Sequence, residues 1–252
     1  MKRKAPKVRQ NETQAKQAEA KRTQAKQPEP TAEPRMKQKN LFLFSAVFLL
    51  IAFIVGTLIY KSEKSDAAAE AYRRDKSTYV RDHSPAFGNV ASKVEIVEFF
   101  DPACETCREF YPLVKKMMAA NPDRIRLYAR YAPFHKGSDH VVKILAAANK
   151  QGKFWETLDA VFAAQPTWAA NHQPQPELVW NYIGGLGLNI DKLRQDMNSP
   201  EIETLIAQDL ADAKKLNVTM TPEFFVNGKP LPSFGIEQLK DLVVDALDSA
   251  YR

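Results

Sequence analysis

Apolar residues are sparse through residue 40, free of any charge from 41 to 60, sparse again to about 88, and periodic from there to the C-terminus. The twenty residues "LFLFSAVFLLIAFIVGTLIY" (41–60) form a helix of about 30 Å at the usual rise, the thickness of a bilayer's hydrocarbon core, and predict a transmembrane anchor. Downstream, "VEIVEFF" (94–100) is rich in β-branched and aromatic residues and predicts a strand buried on both faces, ended by Asp101-Pro102. The run "CREFYPLVKKMMAAN" sets Phe110, Val114 and Met117 at helical spacing, with Leu113 and Met118 on the flanks. A second strand is expected within 123–134. Residues 138–216 are helical in pattern, interrupted by "QPTWAANHQPQP" and "GGLGLN". "TPEFFVNGKPLP" (221–232) reads as a strand, an Asn-Gly turn and the start of a hairpin partner, and an amphipathic helix closes the chain over 236–250. Strand–helix–strand implies a parallel pair, and the late hairpin adds an antiparallel edge, so the expected class is α/β with a helical insertion at about 138–216.

Charge divides the chain in the same places. Residues 1–40 hold twelve Lys/Arg against four Glu, a net of +8, while the whole chain is +6, so residues 41–252 carry −2. The basic character belongs to the tail and gives no ground for a nucleic-acid partner of the folded part. "TQAKQ" occurs at 13–17 and 23–27, in a segment with almost nothing to bury, and disorder is expected there. The excess of Lys/Arg before the apolar run predicts a cytoplasmic N-terminus and an exported remainder. Small residues at Ala67–Ala69 leave a cleaved signal peptide as the competing reading, against which stand a forty-residue leader and an overlong apolar core. The division expected is a basic cytoplasmic tail (1–40), a single-pass anchor (41–60), a polar stalk or linker (61–88) and one domain (89–252).

The two cysteines, Cys104 and Cys107 in "FFDPACETCREFYP", stand where the first strand turns into a helix. A zinc site needs about four ligands, and His83, His135, His140 and His172 offer no close pair at ligand spacing. Covalent haem requires His after the second cysteine, where Arg108 stands. A structural staple would close too small a loop to constrain the unfolded chain much. A redox pair has a direct mechanism: the helix N-terminus lowers the pKa of Cys104, and Cys107, one turn on, is placed to close a disulfide with it. Outside the cytoplasm such a disulfide persists.

The stretches "VEFFDPACETC", "RYAPFHKGSDHVVKILAAANKQGKFWETLDAVF" and "LNVTMTPEFFVNGKPL" resemble the DsbA-like thiol–disulfide oxidoreductases of bacterial envelopes, within the thioredoxin superfamily, over about residues 83–250. The resemblance implies a thioredoxin fold with an inserted helical subdomain, here preceded by a single transmembrane helix. It implies that Cys104 is the nucleophile and Cys107 the buried resolving thiol. Thr221-Pro222 matches the loop whose cis-proline faces the cysteines and offers its backbone to a substrate peptide. Glu98 matches a buried carboxylate that exchanges a proton with Cys107; the alternative is a strand-edge Glu facing water. Glu105 and Thr106 replace the inter-cysteine His of strong oxidases, and a carboxylate beside Cys104 is expected to raise its pKa, which leaves the net direction open. Trp155, Trp168 and Trp180 are expected in the insertion core, and the histidines at the surface or as capping groups. No cofactor or metal is implied. The expected partners are exported proteins in transient mixed disulfides, a membrane redox partner, and the lipid bilayer through residues 41–60. The expected location is the bacterial inner membrane, with the catalytic domain periplasmic. A reductase or isomerase fed by a membrane electron donor, or an envelope chaperone with an idle disulfide, are the alternatives.

Overall fold

The computed structural model describes residues 36–170 and 173–252, with side chains in the first helix from Phe42 onward. Most of the repetitive tail, and His172, therefore lie outside the described residues. Helix α1 (Met36–Arg74) ends on Arg73 and Arg74, cations suited to the negative end of a helix dipole. Strands β1 (Ala86–Phe87) and β2 (Val94–Phe100) follow, then α2 (Glu105–Ala120) and β3 (Ile125–Tyr131). The insertion consists of α3 (Ser138–Lys150), α4 (Phe154–Trp168), a short 3₁₀ turn leading into α5 (Trp180–Ile183), α6 (Ile190–Asp196) and α7 (Pro200–Lys215). Strands β4 (Glu223–Val226) and β5 (Lys229–Pro230) and helix α8 (Ile236–Tyr251) complete the chain.

The five strands form one sheet in the order β1-β3-β2-β4-β5. The central pair β2–β3 is parallel, from Val94 opposite Ile125 to Phe100 opposite Tyr131. Strand β4 runs antiparallel to β2, pairing Phe99 with Glu223 and Ile96 with Val226. This is the mixed α/β arrangement expected from the strand and hairpin patterns. Strand β1 is an addition: its two residues pair antiparallel with β3 and are too few to leave a periodic signal.

Alternation along β2 assigns its side chains to two layers. Val94 and Ile96 pack with Phe110, Val114 and Met118 of α2 and with Leu239 and Val243 of α8. Val97 and Phe99 face the other way, against Tyr72, Tyr79, Ala213 and Phe225. The insertion has its own core around Leu145, Phe154, Phe162 and Trp168, which reaches Phe100, Cys104 and Cys107. Trp168 is fully buried with its indole N–H donated to Val161 O at 2.8 Å, Trp155 donates to Ala86 O at 3.0 Å, and Trp180 lies under the Arg194 guanidinium at 4.1 Å. All three serve packing, as their setting in an apolar helical block suggested.

The chain divides into two compact units, one ending at Thr57 and one running from Leu58 to Arg252. Among the described residues the first is helix alone, with its apolar side chains exposed; the helix from Phe42 to Arg74 is long and apolar enough to cross a membrane by length and composition. In the second, the segment expected to be a stalk does not stand off from the domain. Ala69 and Tyr72 of α1 are buried, the Tyr72 hydroxyl bonds the Glu95 carboxylate of β2, and its ring meets Tyr79 edge-on at 5.0 Å. The hairpin turn Asn227–Gly228 has positive φ at both residues, and a Cβ on Gly228 would stand 2.2 Å from Tyr72 Cβ, so only glycine admits the helix this close. Further on, fully buried Arg130 of β3 reaches Asp209 and Asp212 of α7 at 2.8 and 2.7 Å and the carbonyls of Thr78 and Tyr79. Arg81 closes a two-bond fork on Asp212, and His83 lies 2.6 Å from Asp209. One ionic cluster thus ties residues 78–83, the sheet and the insertion together.

Candidate active site

Strand β2 ends at Phe100, and the next residues turn sharply into α2. Asp101, fully buried, holds that turn: one carboxylate oxygen accepts from the Ala103 N–H at 2.8 Å, and the other from the His135 N–H at 2.7 Å and the Ser138 hydroxyl at 3.1 Å. The His135 ring nitrogen Nδ1 lies 2.9 Å from the same carboxylate. From the insertion, buried Gln165 donates its amide N–H groups to the carbonyls of Pro102 at 2.8 Å and Cys104 at 2.9 Å. The loop carrying the first cysteine is therefore held from the start of α3 and from α4. Residue patterning did not single out Asp101 or Gln165. The available signals were the Asp directly before the Pro-Ala-Cys stretch, and a lone amide inside the apolar run "AVFAAQPTW".

Cys104 is the N-cap of α2, with extended backbone (φ −74°, ψ 119°), and Cys107 lies in the first turn. Both are free thiols and both are buried, Cys107 completely. Their acidities part. The Cys104 thiol falls from its ordinary value to about 6, chiefly because the Cys107 side chain hydrogen-bonds its sulfur, against an opposing push from burial. The N–H groups of Cys107 and Thr106 and the Thr221 side chain add to the fall, as expected of the open end of a helix. Burial pushes Cys107 well above the ordinary thiol range, with the bond to Cys104 and the nearby Glu98 charge acting in the same sense. Glu105, expected to raise the Cys104 pKa, has an exposed side chain, and the groups that set the shift are Cys107, Thr221 and Thr106.

The peptide bond Thr221–Pro222 is cis, and the Thr221 carbonyl accepts from Cys104 Sγ at 3.3 Å. The loop before β4 thus lies against the first cysteine. Glu98, on the face of β2 shared with Ile96 and Phe100, is buried rather than water-facing. Burial, and then the charge of Cys104, push its carboxyl up to about 8. The structure therefore brings Glu98, Cys104, Cys107, Thr106, Thr221 and Pro222 together and leaves Glu105 at the surface. One sulfur with a lowered pKa lies beside the Thr221–Pro222 loop, a second sulfur behind it is pushed toward its protonated form, and a carboxyl pushed up to about 8 interacts with both.

Residues 81–245 match the family described as Thioredoxin. A thioredoxin-like oxidoreductase from Silicibacter pomeroyi DSS-3 superposes with a TM-score of 0.59 at 32% identity, covering 68% of this chain and 97% of that one. A probable disulfide bond formation protein D of Bacillus anthracis is 26% identical over 208 residues, 77% of this chain and 91% of its own length. A Na(+)/H(+) antiporter NhaA of Herminiimonas arsenicoxydans is 30% identical over 140 residues, and the chain spans only 22% of that protein's length. The chain belongs to the thioredoxin family, and the helical insertion between β3 and β4 gives it the DsbA-like form of the fold.

Proposed function

We propose that this chain is a thiol–disulfide oxidoreductase that exchanges disulfides with exported proteins through Cys104 and Cys107. Residues 41–60 anchor it in the bacterial inner membrane, with the basic tail cytoplasmic and the catalytic domain periplasmic. The observation that carries the reading is the asymmetry of the two thiols: Cys104 lowered to about 6 at a helix N-terminus beside the Thr221–Pro222 loop, Cys107 fully buried and raised. A staple or an idle pair has no use for that difference.

In the oxidising direction, a substrate thiolate attacks Cys104 Sγ of the Cys104–Cys107 disulfide, and Cys107 leaves as a thiolate. Glu98, neutral when buried below about pH 8, gives it a proton. A second substrate thiolate then attacks the substrate sulfur of the mixed disulfide and expels Cys104. The substrate dithiol is oxidised and the Cys104/Cys107 pair reduced; a membrane redox partner restores the disulfide. In the reverse direction the Glu98 carboxylate takes the proton from Cys107. Consuming the Cys104 thiolate in a mixed disulfide removes the charge that helps raise the Glu98 pKa, so the base is released when it is needed. Stabilising the Cys104 thiolate favours the reduced state and so makes the disulfide more oxidising than an unperturbed pair; the direction in the cell is read by the alkylation test below.

Trapping tests the roles. Cys107→Ala removes the resolving thiol, and reducible adducts with envelope proteins should accumulate on non-reducing gels, with few or none in Cys104→Ala. Adducts in neither variant would sink the exchange reading. Alkylation in intact cells tests direction: an oxidase is found mainly disulfide-bonded, and a resting dithiol would assign the chain to the reducing side.

A further inference from the structure

Helix α2 carries a second feature beside the cysteines. Arg108, Tyr111 and Lys115 fall at i+4, i+7 and i+11 from Cys104, so they form one stripe running away from the first sulfur. The stripe faces α4 across an open groove of about 470 Å³, walled on the α2 side by these residues and Pro112 and on the other by Asp159, Phe162 and Ala163. Its floor is aromatic, Tyr111 and Phe162 lying with ring centroids 5.3 Å apart.

The polar groups there are not all satisfied from within the protein. Lys115 is held by Asp159 at 3.0 and 3.2 Å and stands over the Tyr111 ring at 5.1 Å. Arg108 has no carboxylate within ion-pairing distance among the described residues, and its Nε is buried without a hydrogen-bond partner. Tyr111 is buried, and its hydroxyl lies beside the Asp159 carboxylate that also holds Lys115. Neighbouring Glu105 and Glu109 are exposed on the same helix and pair with none of these groups. An unpaired guanidinium at the edge of an apolar-floored groove forms a receptor for a carboxylate, which accepts from its planar N–H fork.

We infer that this groove is a specificity subsite that holds an acidic side chain of the polypeptide undergoing exchange at Cys104. The inference rests on the thiol-exchange reading above and deepens it. Arg108 lies about one 5.4 Å helical turn from Cys104. An extended peptide advances about 3.3 Å per residue, so the Asp or Glu falls about one or two residues from the exchanging cysteine. The aromatic floor takes the aliphatic part of that side chain, and Arg108 its oxygens.

The test uses the full chain in detergent, oxidised, with dithiol peptides that differ only in Glu, Gln or Lys at the first or second position on either side of the attacking cysteine. Second-order rates of peptide oxidation are compared as the Glu-to-Gln ratio, for wild type and for Arg108→Gln. Comparing ratios between proteins cancels the effect of the acid on the peptide's own thiol and any general effect of Arg108 on Cys104. The ratio should fall about three- to tenfold in Arg108→Gln, survive in Arg108→Lys in part, and rise in Asp159→Asn, which frees Lys115. Raising the salt concentration should compress the wild-type ratio and leave that of Arg108→Gln where it is. Equal ratios in wild type and Arg108→Gln overturn the subsite while leaving exchange intact. No exchange with any of the peptides removes the thiol-exchange reading, and this inference with it.

Discussion

Glu98 occupies a position on β2 where every neighbour in the strand on its face is apolar, and burial leaves it neutral through most of the physiological range. The sign of its effect on stability follows. Its folded pKa, about 8, lies above the ordinary 4.5, so its contribution is complete below the ordinary value and is lost as pH rises through about 8. Glu98→Gln keeps the shape and removes the ionisation. Its unfolding free energy should therefore gain on wild type as pH rises from about 4.5 to about 8 and hold constant above, by up to a few kcal/mol since each pKa unit is about 1.4 kcal/mol. Urea titrations at a series of pH values check this, and a difference flat in pH would show that Glu98 is ionised in the fold. Exchange should also slow in the variant at the step that moves the Cys107 proton. The same comparison of environments explains why Glu105, one residue from Cys104, does little: its side chain is in water, whereas the donors that favour the thiolate are fixed around the sulfur.

Among the elements, α4 has a duty that its length and apolar pattern do not announce. Gln165 reaches out of the insertion core to the two carbonyls on either side of Ala103, so the helical block and the reactive loop are one assembly. Gln165→Leu leaves both carbonyls without these donors, and stability should fall by about 1–3 kcal/mol. A loosened N-cap also weakens the array of N–H groups around Cys104, so its thiolate absorbance should titrate at a higher pH than in wild type. A variant that is less stable with an unmoved Cys104 titration would confine Gln165 to a structural part.

At the scale of the whole molecule, the Leu58–Arg252 unit is held by a charge cluster that joins three segments far apart in sequence. Removing one member leaves the others buried and uncompensated. Asp212→Asn should cost about 3–5 kcal/mol at pH 7, since Arg130 is fully buried and Arg81 loses its fork. Burial pushes the Asp212 pKa up, but its bonds and attraction to Arg81 and Arg130 together outweigh that and lower it, so its stabilising contribution is present above the ordinary carboxylate value and fades as pH falls through the folded one. The gap between wild type and Asp212→Asn should accordingly narrow in acid, and urea unfolding at pH 7 and pH 3 reads it. The topology is tested separately: a reporter active only outside the cytoplasm, fused after Arg252, should be active, and activity of a cytoplasm-only reporter there would reverse the assignment.

Local chemistry made much of this legible in advance. The continuous apolar run located β2 at 94–100, the Asn-Gly turn located the β4–β5 hairpin, the helical spacing located α2 and α8, and the break between β2 and α2 put the cysteines at a helix N-terminus, because these signals depend on neighbours within a few residues. The cis bond at Thr221–Pro222 and the burial of Glu98 came from the resemblance and not from periodicity, since proline at a strand start and Glu in a strand each fit other settings. Only the tertiary structure decided that residues 66–83 pack on the sheet. That segment is polar in sequence, and its few contacts, Ala69, Tyr72 and Tyr79, gain meaning only opposite Glu95, Gly228 and Phe225. The same holds for Arg130 with Asp209 and Asp212, for Gln165 beneath Cys104, and for the groove between Arg108 and Phe162. Each sets a polar group against a partner about 50 to 80 residues away, and a one-dimensional pattern carries polarity at a position but not the partner that the fold brings to it.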